Sequence, residues 1–508
     1  MSSAHCPDQT ARYRALCSRD ARFDGGFFVG VTSTGVYCRP ICRVRTPRLE
    51  NCRFFDHAAQ AEREGFRPCL RCRPELAPRQ RHWSSTDAAA ILTEQACAML
   101  DDPQSWDGAS ADGSRLERVA GRLGVSDRHL RRVFEACMGV SPLQYLQTCR
   151  LLVAKQLLTD TKLSIADVAD ASGFGSQRRF NAAFSTRYRM NPSLMRRQHR
   201  NSHRETGGSV TVRLSWRPPL EVDWLMHFLA KRELSPLERF DASGNSGFFR
   251  TMRLASPSSQ DHRGWISGFW DQDRGQLVLQ VSEGLLKVLP SVVRRVREWL
   301  DLDADPAAIH TALRQNFPEA EGLRVPGCLD GFELAVRAIL GQQITVAAAR
   351  TIGTRLVQRL GEPVETPPLR PDRLFPTPEV LARVEDSILG EMGIVVQRQR
   401  AIKSLATAVL EGQIDLNAHT HSSHTVSQLE SMPGIGAWTA QYIAMRALRN
   451  PDAWPPGDVA LHSVLGLAAP RTAAARRAAE QISDAWRPWR SYAVIRAWAG
   501  LHATPSSR

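Results

Sequence analysis

Leu429-Glu430-Ser431-Met432-Pro433-Gly434-Ile435-Gly436-Ala437-Trp438-Thr439-Ala440 ends one helix, turns on glycines and starts another. Glycine permits the tight backbone of such a turn and leaves no side chain to block a phosphate. The new helix then offers free amides at its positive end. That arrangement grips a nucleic-acid backbone without reading its sequence. Taken alone, the stretch reads equally as a plain αα-hairpin. Further on, Pro455-Pro456-Gly457-Asp458-Val459 places an aspartate in a loop rich in proline and glycine. From about Val292 nearly to the end the hydrophobic period is helical, except for a proline-rich loop at 363–378.

Hairpin, Gly/Pro loop and aspartate together resemble the HhH-GPD superfamily of DNA base-excision glycosylases, and more closely its AlkA-type alkylpurine glycosylases. The likeness covers about 209–502. It includes Leu214-x-Trp216-x-Pro218-Pro219, Leu323-Arg324-Val325-Pro326-Gly327-Cys328, Arg337-Ala338-Ile339-Leu340-Gly341-Gln342-Gln343 and Trp489-Arg490-Ser491-Tyr492-Ala493. The resemblance implies that Asp458 is the catalytic carboxylate and that Trp438, Tyr442 and Trp498 line the base pocket. It also implies that Gly434 and Gly436 meet the DNA backbone, and that Gln343 stands where the best-known member inserts a leucine wedge. A backbone cation site at the carbonyls of Glu430, Met432 and Ile435 is implied in the same way.

The chemistry suits a carboxylate. Breaking the C1′–N bond develops positive charge on the deoxyribose, which a nearby anion stabilises while orienting water. The target atom lies inside the base stack, so the nucleotide must be flipped out. Alkylated purines carry positive charge, which improves them as leaving groups and draws them to aromatic faces. The last lysine is Lys403. No lysine therefore follows the hairpin to form a Schiff base, and Trp438 stands where bifunctional relatives place theirs, so hydrolysis without lyase chemistry is expected. Cys328 is the only cysteine after residue 200, so the iron–sulfur cluster of the endonuclease III branch cannot be built.

Nearer the N-terminus, Cys38, Cys42, Cys69 and Cys72 form two short-spaced pairs able to close a tetrahedral zinc site. Nine arginines (39, 43, 45, 48, 53, 63, 67, 71 and 73) accompany them. A purely structural zinc knuckle is one reading. The words Gly35-Val36-Tyr37-Cys38-Arg39-Pro40-x-Cys42-Arg43 and Gly65-Phe66-Arg67-Pro68-Cys69-x-Arg71-Cys72-x-Pro74-Glu75 resemble the N-terminal domain of the bacterial Ada methylation-response proteins. That resemblance implies one Zn²⁺ held by the four cysteines, with Cys38 as an irreversible acceptor from a methyl phosphotriester. Thr34, Arg45 and Arg71 match positions expected near the phosphate. Zinc keeps a thiolate ionised at neutral pH, and methylating it removes about one negative charge beside a polyanion, so DNA binding is expected to strengthen, more so at low salt.

An internal repeat lies between. Leu116, Ala120, Gly124 and Val125 are echoed by Ile165, Ala169, Gly173 and Phe174 at an offset of 49, whereas Phe134 matches Phe184 at an offset of 50. Each copy reads as a helix-turn-helix, with the one-residue difference in the turn or at the start of the recognition helix. The words Gly124-Val125-Ser126, Gly139-x-Ser141-Pro142 and Gly173-Phe174 resemble an AraC-type DNA-binding domain. The candidate base or phosphate readers are Asp127, Arg128, Arg131 and Arg132, then Ser176, Gln177, Arg178 and Arg179.

The chain has 508 residues and a formal charge of +14, which favours a polyanionic partner. Residues 1–14 hold no apolar run suited to secretion, and no apolar run is long enough for a membrane span, so a cytosolic, nucleoid-associated bacterial protein with no membrane partner is expected. Eleven irregularly spaced cysteines do not make a disulfide framework. Cys6, Cys17, Cys52, Cys97, Cys137, Cys149 and Cys328 read as bystanders or small core residues, and His421 and His424 as loop.

The expected fold is multidomain and mainly α with α+β parts. It comprises a small zinc domain at 1–78, an AraC-type double helix-turn-helix at 84–198 and a linker at 199–208. A small antiparallel α+β domain follows at 209–290, then an all-α helix-hairpin-helix glycosylase domain at 291–502. The expected partners are double-stranded DNA and, for an activator, RNA polymerase. Two other readings stay open: a regulator whose glycosylase-like half only binds DNA, and a zinc protein without chemistry at Cys38. The Pro-Cys-His-Arg word of a full-length Ada protein is absent, so repair of O6-methylguanine is not expected.

Overall fold

The computed structural model describes residues 9–80, 87–106, 112–199, 209–241, 246–255, 261–418, 422–470 and 472–503. Most of the linker at 199–208, together with Cys6 and His421, lies outside the described residues. Among the described residues the chain is mainly helical with two small sheets. Among the described residues no helix is long and apolar enough to cross a membrane.

The N-terminal sheet has the order β3-β1-β2-β4, with β1 Phe28–Val31, β2 Val36–Cys38, β3 Cys52–Phe55 and β4 Arg67–Pro68. Phe28, Tyr37, Phe55 and Phe66 pack beneath it. The parallel pairing of β2 with β4 sets Tyr37 against Pro68, so the cysteines that end each segment, Cys38 and Cys69, emerge side by side.

The repeat folds as two helix-turn-helix units joined by the helix Pro142–Asp160. Ser141 starts that helix with a capping box to Gln144 and a proline in its first turn. In the first unit Gly124 turns at φ +69° and Ser126 caps the helix Asp127–Met138. In the second, Gly173 turns at φ +76° and Ser176 caps the helix Gln177–Tyr188. One residue separates Gly124 from Ser126, and two separate Gly173 from Ser176. The offset therefore changes in the turn, and Leu130, Phe134, Phe180 and Phe184 all reach zero exposure.

The second sheet is antiparallel, with the order β5-β9-β8-β7-β6. Its strands are β5 Ser209–Ser215, β6 Glu238–Asp241, β7 Gly247–Ala255, β8 Asp261–Asp271 and β9 Gln276–Ser282. The alternation read in the sequence is its register: Val210 faces Val281, Val212 faces Leu279 and Leu214 faces Leu277. One apolar cluster runs from Leu151, Leu158, Phe180 and Phe184 of the DNA-binding part into Val212, Leu214, Leu279 and Val281. The helical domain has its own core, built on Leu334, Ile339, Leu405, Ile443 and Val494. His424 corrects an expectation: it lies in the helix Ser422–Glu430, whose buried face of Thr425, Val426 and Leu429 packs inward, and not in a loop.

Candidate active site and metal centre

Gly434, at φ +86°, closes the turn after the helix Ser422–Glu430, and exposed Gly436 caps the helix Ala437–Arg446. An L side chain at Gly434 would be strained, and its Cβ would stand 3.0 Å from that of Ala401. Gln342 supports the turn by donating to Gly434 O at 2.9 Å and Thr439 Oγ1 at 3.2 Å. The neighbouring Gln343 is exposed and held at φ +55°. Met432 O accepts from Ile435 N at 3.2 Å, so one carbonyl of the proposed cation site is engaged within the turn.

Asp458 caps the helix Val459–Val464 by accepting Leu461 N on Oδ1 at 3.0 Å. The indole of Trp438 donates to its Oδ2 at 3.0 Å, and that of Trp498 to Oδ1 at 3.2 Å. The carboxylate is therefore aimed from both sides while 8% of the residue stays exposed. Trp438 and Tyr442, four apart on one helix, stack with centroids 5.2 Å apart and 12° between planes. Trp498 lies 6.3 Å from Tyr442. The three aromatics and Asp458 border one cavity of about 320 Å³, a size suited to one base.

The cavity is not made by the helical domain alone. Leu229, Arg232, Glu238, Phe240 and Arg250 line it from the α+β domain, so the site sits between the two. Arg232 lies over the Phe228 ring at 3.7 Å, and burial pushes its guanidinium down to about 10. Burial pushes the Tyr442 phenol up, but the charges of Arg446 and Arg232 and a hydrogen bond from Arg446 outweigh it, and the phenol falls below its usual 10. Burial pushes the Cys328 thiol on the cavity wall up to about 12, so it is no reagent at neutral pH. Arg446, Arg232 and Gln342 escaped the sequence reading. Arg446 stands four residues after Tyr442, a helical spacing that could have found it; nothing local marks Arg232.

In the N-terminal domain the four expected cysteines converge, with ligand atoms all within 4.8 Å of one another. Cys38, Cys42 and Cys69 are buried and Cys72 is half-buried. Hydrogen bonds among the sulfurs push Cys38 and Cys72 up while pulling Cys42 down to about 7 and Cys69 down further. Four crowded sulfurs that must otherwise share protons are the donor set that one Zn²⁺ satisfies. Thr34, Arg45 and Arg71 are exposed around the domain. Arg39 is not: it pairs with Asp24, both side chains being 2% exposed.

On the helix-turn-helix units Arg128, Arg132, Gln177, Arg178 and Arg179 are exposed at the starts of the two recognition helices. Arg131 is half-buried and paired with Asp127 at 2.8 Å. Glu62 of the zinc domain has zero exposure at the junction with these units. It accepts from Tyr37 at 3.1 Å and Thr148 at 3.0 Å and faces Arg187 at 3.6 Å. Burial pushes its carboxyl up to about 7.

Four family models match the chain: Metal binding domain of Ada over 11–75, Helix-turn-helix domain over 119–198, AlkA N-terminal domain over 211–330, and HhH-GPD superfamily base excision DNA repair protein over 336–488. The chain is 36% identical over 507 residues, 96% of each chain, to a probable bifunctional transcriptional activator/DNA repair enzyme AlkA of Mycobacterium tuberculosis. It is 33% identical over 286 residues, 56% of this chain and 95% of the other, to DNA-3-methyladenine glycosylase 2 of Escherichia coli. It is 34% identical over 150 residues, 30% of this chain and 38% of the other, to the bifunctional transcriptional activator/DNA repair enzyme Ada of Escherichia coli.

Proposed function

The chain belongs to the family of bifunctional transcriptional activator/DNA repair proteins in which an Ada-type zinc domain and a helix-turn-helix domain precede an AlkA-type glycosylase, and on that premise we propose that it excises alkylated bases from duplex DNA and reports alkylation by accepting a methyl group at Cys38. The observation that carries the first half is the carboxylate of Asp458, aimed by two indoles at the edge of an aromatic cavity.

The flipped base enters the cavity bordered by Trp438, Tyr442 and Trp498. As the C1′–N bond breaks, its electron pair leaves with the base, and the carboxylate of Asp458 faces the positive charge on the sugar. Water adds to C1′ and its proton passes to the carboxylate or solvent. A cationic base such as 3-methyladenine or 7-methylguanine departs neutral, which lowers the barrier. The absence of lysine after Lys403 supports hydrolysis without strand cleavage. Gly434 and Gly436 hold the DNA backbone, and exposed Gln343 fills the gap left by the base.

At the zinc centre the Cys38 thiolate attacks the methyl carbon of a phosphotriester. The S–C bond forms as the C–O bond breaks, and the electron pair stays on the phosphodiester. Cys38, Cys42, Cys69 and Cys72 would hold one Zn²⁺, which would keep the thiolate deprotonated. Thr34, Arg45 and Arg71 position the phosphate. Arg128, Arg131, Arg132, Gln177, Arg178 and Arg179 read a promoter, and RNA polymerase is the protein partner of an activator of this kind.

The test is base release from methylated duplex DNA by wild-type protein and Asp458→Asn, with free bases separated by chromatography. Release of 3-methyladenine or 7-methylguanine by wild type alone is expected. No release by either protein, with DNA binding intact, would leave the helical half as a DNA-binding module only.

A further inference from the structure

Arg217 follows strand β5 by two residues and is 2% exposed. Its hydrogen bonds go to main-chain carbonyls from both halves of the protein. Nε donates to Asp24 O at 2.9 Å, and Nη2 to Pro78 O at 3.3 Å and Arg79 O at 2.7 Å, all in or just after the zinc domain. Nη1 donates to Asp303 O at 2.9 Å and Ala304 O at 3.3 Å in the glycosylase half. A buried guanidinium is costly unless its rigid fork is satisfied. Separating the halves would leave Nε and Nη2 without these partners, so the three bonds tie the zinc side to the glycosylase half.

On the zinc side, the residue whose carbonyl Arg217 holds also carries the carboxylate that pairs with Arg39. Arg39 directly follows Cys38. Its main-chain N–H donates to Cys72 Sγ at 3.3 Å and its guanidinium to Cys72 O at 3.0 Å. On the pocket side, the carbonyl of Arg217 accepts from Arg324 at 2.7 Å. Arg324 opens the segment 324–329, whose Gly327, Cys328 and Leu329 line the base cavity. Pro326 O and Gly327 O of that segment accept from Arg446 at 2.7 and 3.1 Å, and Arg446 donates to the Tyr442 hydroxyl.

Adjacency alone does not transmit anything; one end must change its energetics. Turning the Cys38 thiolate into a thioether removes about one negative charge beside Arg39. Both Arg39 and Asp24 are shielded from water, so that change is weakly screened and shifts the balance of the Arg39 guanidinium between Cys72 O and Asp24. Asp24 holds Arg39 through its carboxylate and Arg217 Nε through its carbonyl, so a shift of its backbone at one contact is felt at the other. Resting on the reading of Cys38 as methyl acceptor and Asp458 as catalytic carboxylate, we infer that Arg217 is a positioning residue shared by both sites, through which methylation of Cys38 alters base excision.

The test uses full-length protein reacted with a duplex carrying one methyl phosphotriester and then freed of that DNA. Peptide mass spectrometry measures methylation at Cys38. Single-turnover release of 7-methylguanine from a second duplex, at saturating protein, is compared between methylated and unmethylated forms. The expected change is about fivefold or more, with altered hydrogen exchange over 214–219 and 323–328, and no such change in rate in Arg217→Met. Equal rates and unchanged exchange in wild type with Cys38 fully methylated overturn the inference, whether or not the variant folds. A rate difference that persists in Arg217→Met removes Arg217 from the coupling. Cys38 left unmethylated while excision proceeds defeats the acceptor reading and the inference with it, and the peptide mass distinguishes that outcome from the others.

Discussion

Trp438 Nε1 donates to Asp458 Oδ2 across 3.0 Å, so the residue that follows the hairpin turn also aims the carboxylate. The first turn of the helix Ala437–Arg446 thereby ties the glycine hairpin to Asp458. Replacing Trp438 with Phe keeps the stack on Tyr442 and removes the donor. Single-turnover excision is expected to fall about tenfold, the worth of one hydrogen bond to a charged group. Asp458→Asn is expected to cost on the order of 10²–10³-fold. Wild-type rates in Trp438→Phe at unchanged DNA affinity would show that Trp498 alone suffices to aim the carboxylate.

The Tyr442 phenol is set by its neighbours. Burial raises it, and Arg446 and Arg232 lower it further than burial lifts it. Removing one of those charges with Arg446→Gln is expected to move the titration of this phenol upward in an ultraviolet difference spectrum. Tyr442→Phe identifies the signal by deleting it. A phenol that titrates alike in wild type and Arg446→Gln contradicts the assignment of cause.

Glu62 offers a pH test of the junction between the zinc domain and the DNA-binding units. Its folded value of about 7 lies above its ordinary 4.5, chiefly through burial. A raised carboxyl contributes most stability below the unfolded value and loses it as pH rises through about 7. Glu62→Gln, neutral at every pH, is therefore expected to gain on wild type between pH 5 and pH 8, by up to about 3 kcal/mol. Thermal melts of the two proteins across that range measure the gain. A constant difference between the melts would mean the side chain does not titrate there.

Arg128 and Arg179 are exposed near the starts of the two recognition helices. If either meets a phosphate, its replacement by Ala weakens binding to all sequences alike and reduces the salt slope of promoter affinity by about one. If it meets a base edge, the loss appears at one operator position. A fluorescence titration series in salt, on promoter and unrelated duplexes, separates the cases. No effect from either replacement would place the DNA on another face.

Much of the architecture was legible because its determinants are local. The glycines at 124, 173 and 434 sit at positive φ where a turn requires them. Ser126, Ser141 and Ser176 cap helices as short polar residues do. The alternation of Val210, Val212 and Leu214 against Leu277, Leu279 and Val281 is the register of an antiparallel pair. Two cysteine pairs at short spacing announce the cluster that the fold brings together, and Asp458 after a Gly/Pro loop is the carboxylate found against two indoles.

By itself, then, the sequence determined where the chain turns, which faces are apolar and which residues are candidates for chemistry. Only the tertiary structure decided what those residues meet. Arg217 and Asp24 touch across 193 positions, and Arg232 reaches the cavity from another domain. Glu62 meets Tyr37 of its own domain and Thr148 and Arg187 of the helix-turn-helix units, partners far apart in the sequence. An arginine or glutamate carries no local mark of its burial, because burial arises when distant segments exclude water together. That exclusion is what brings the cysteine cluster and the aromatic cavity into one continuous structure.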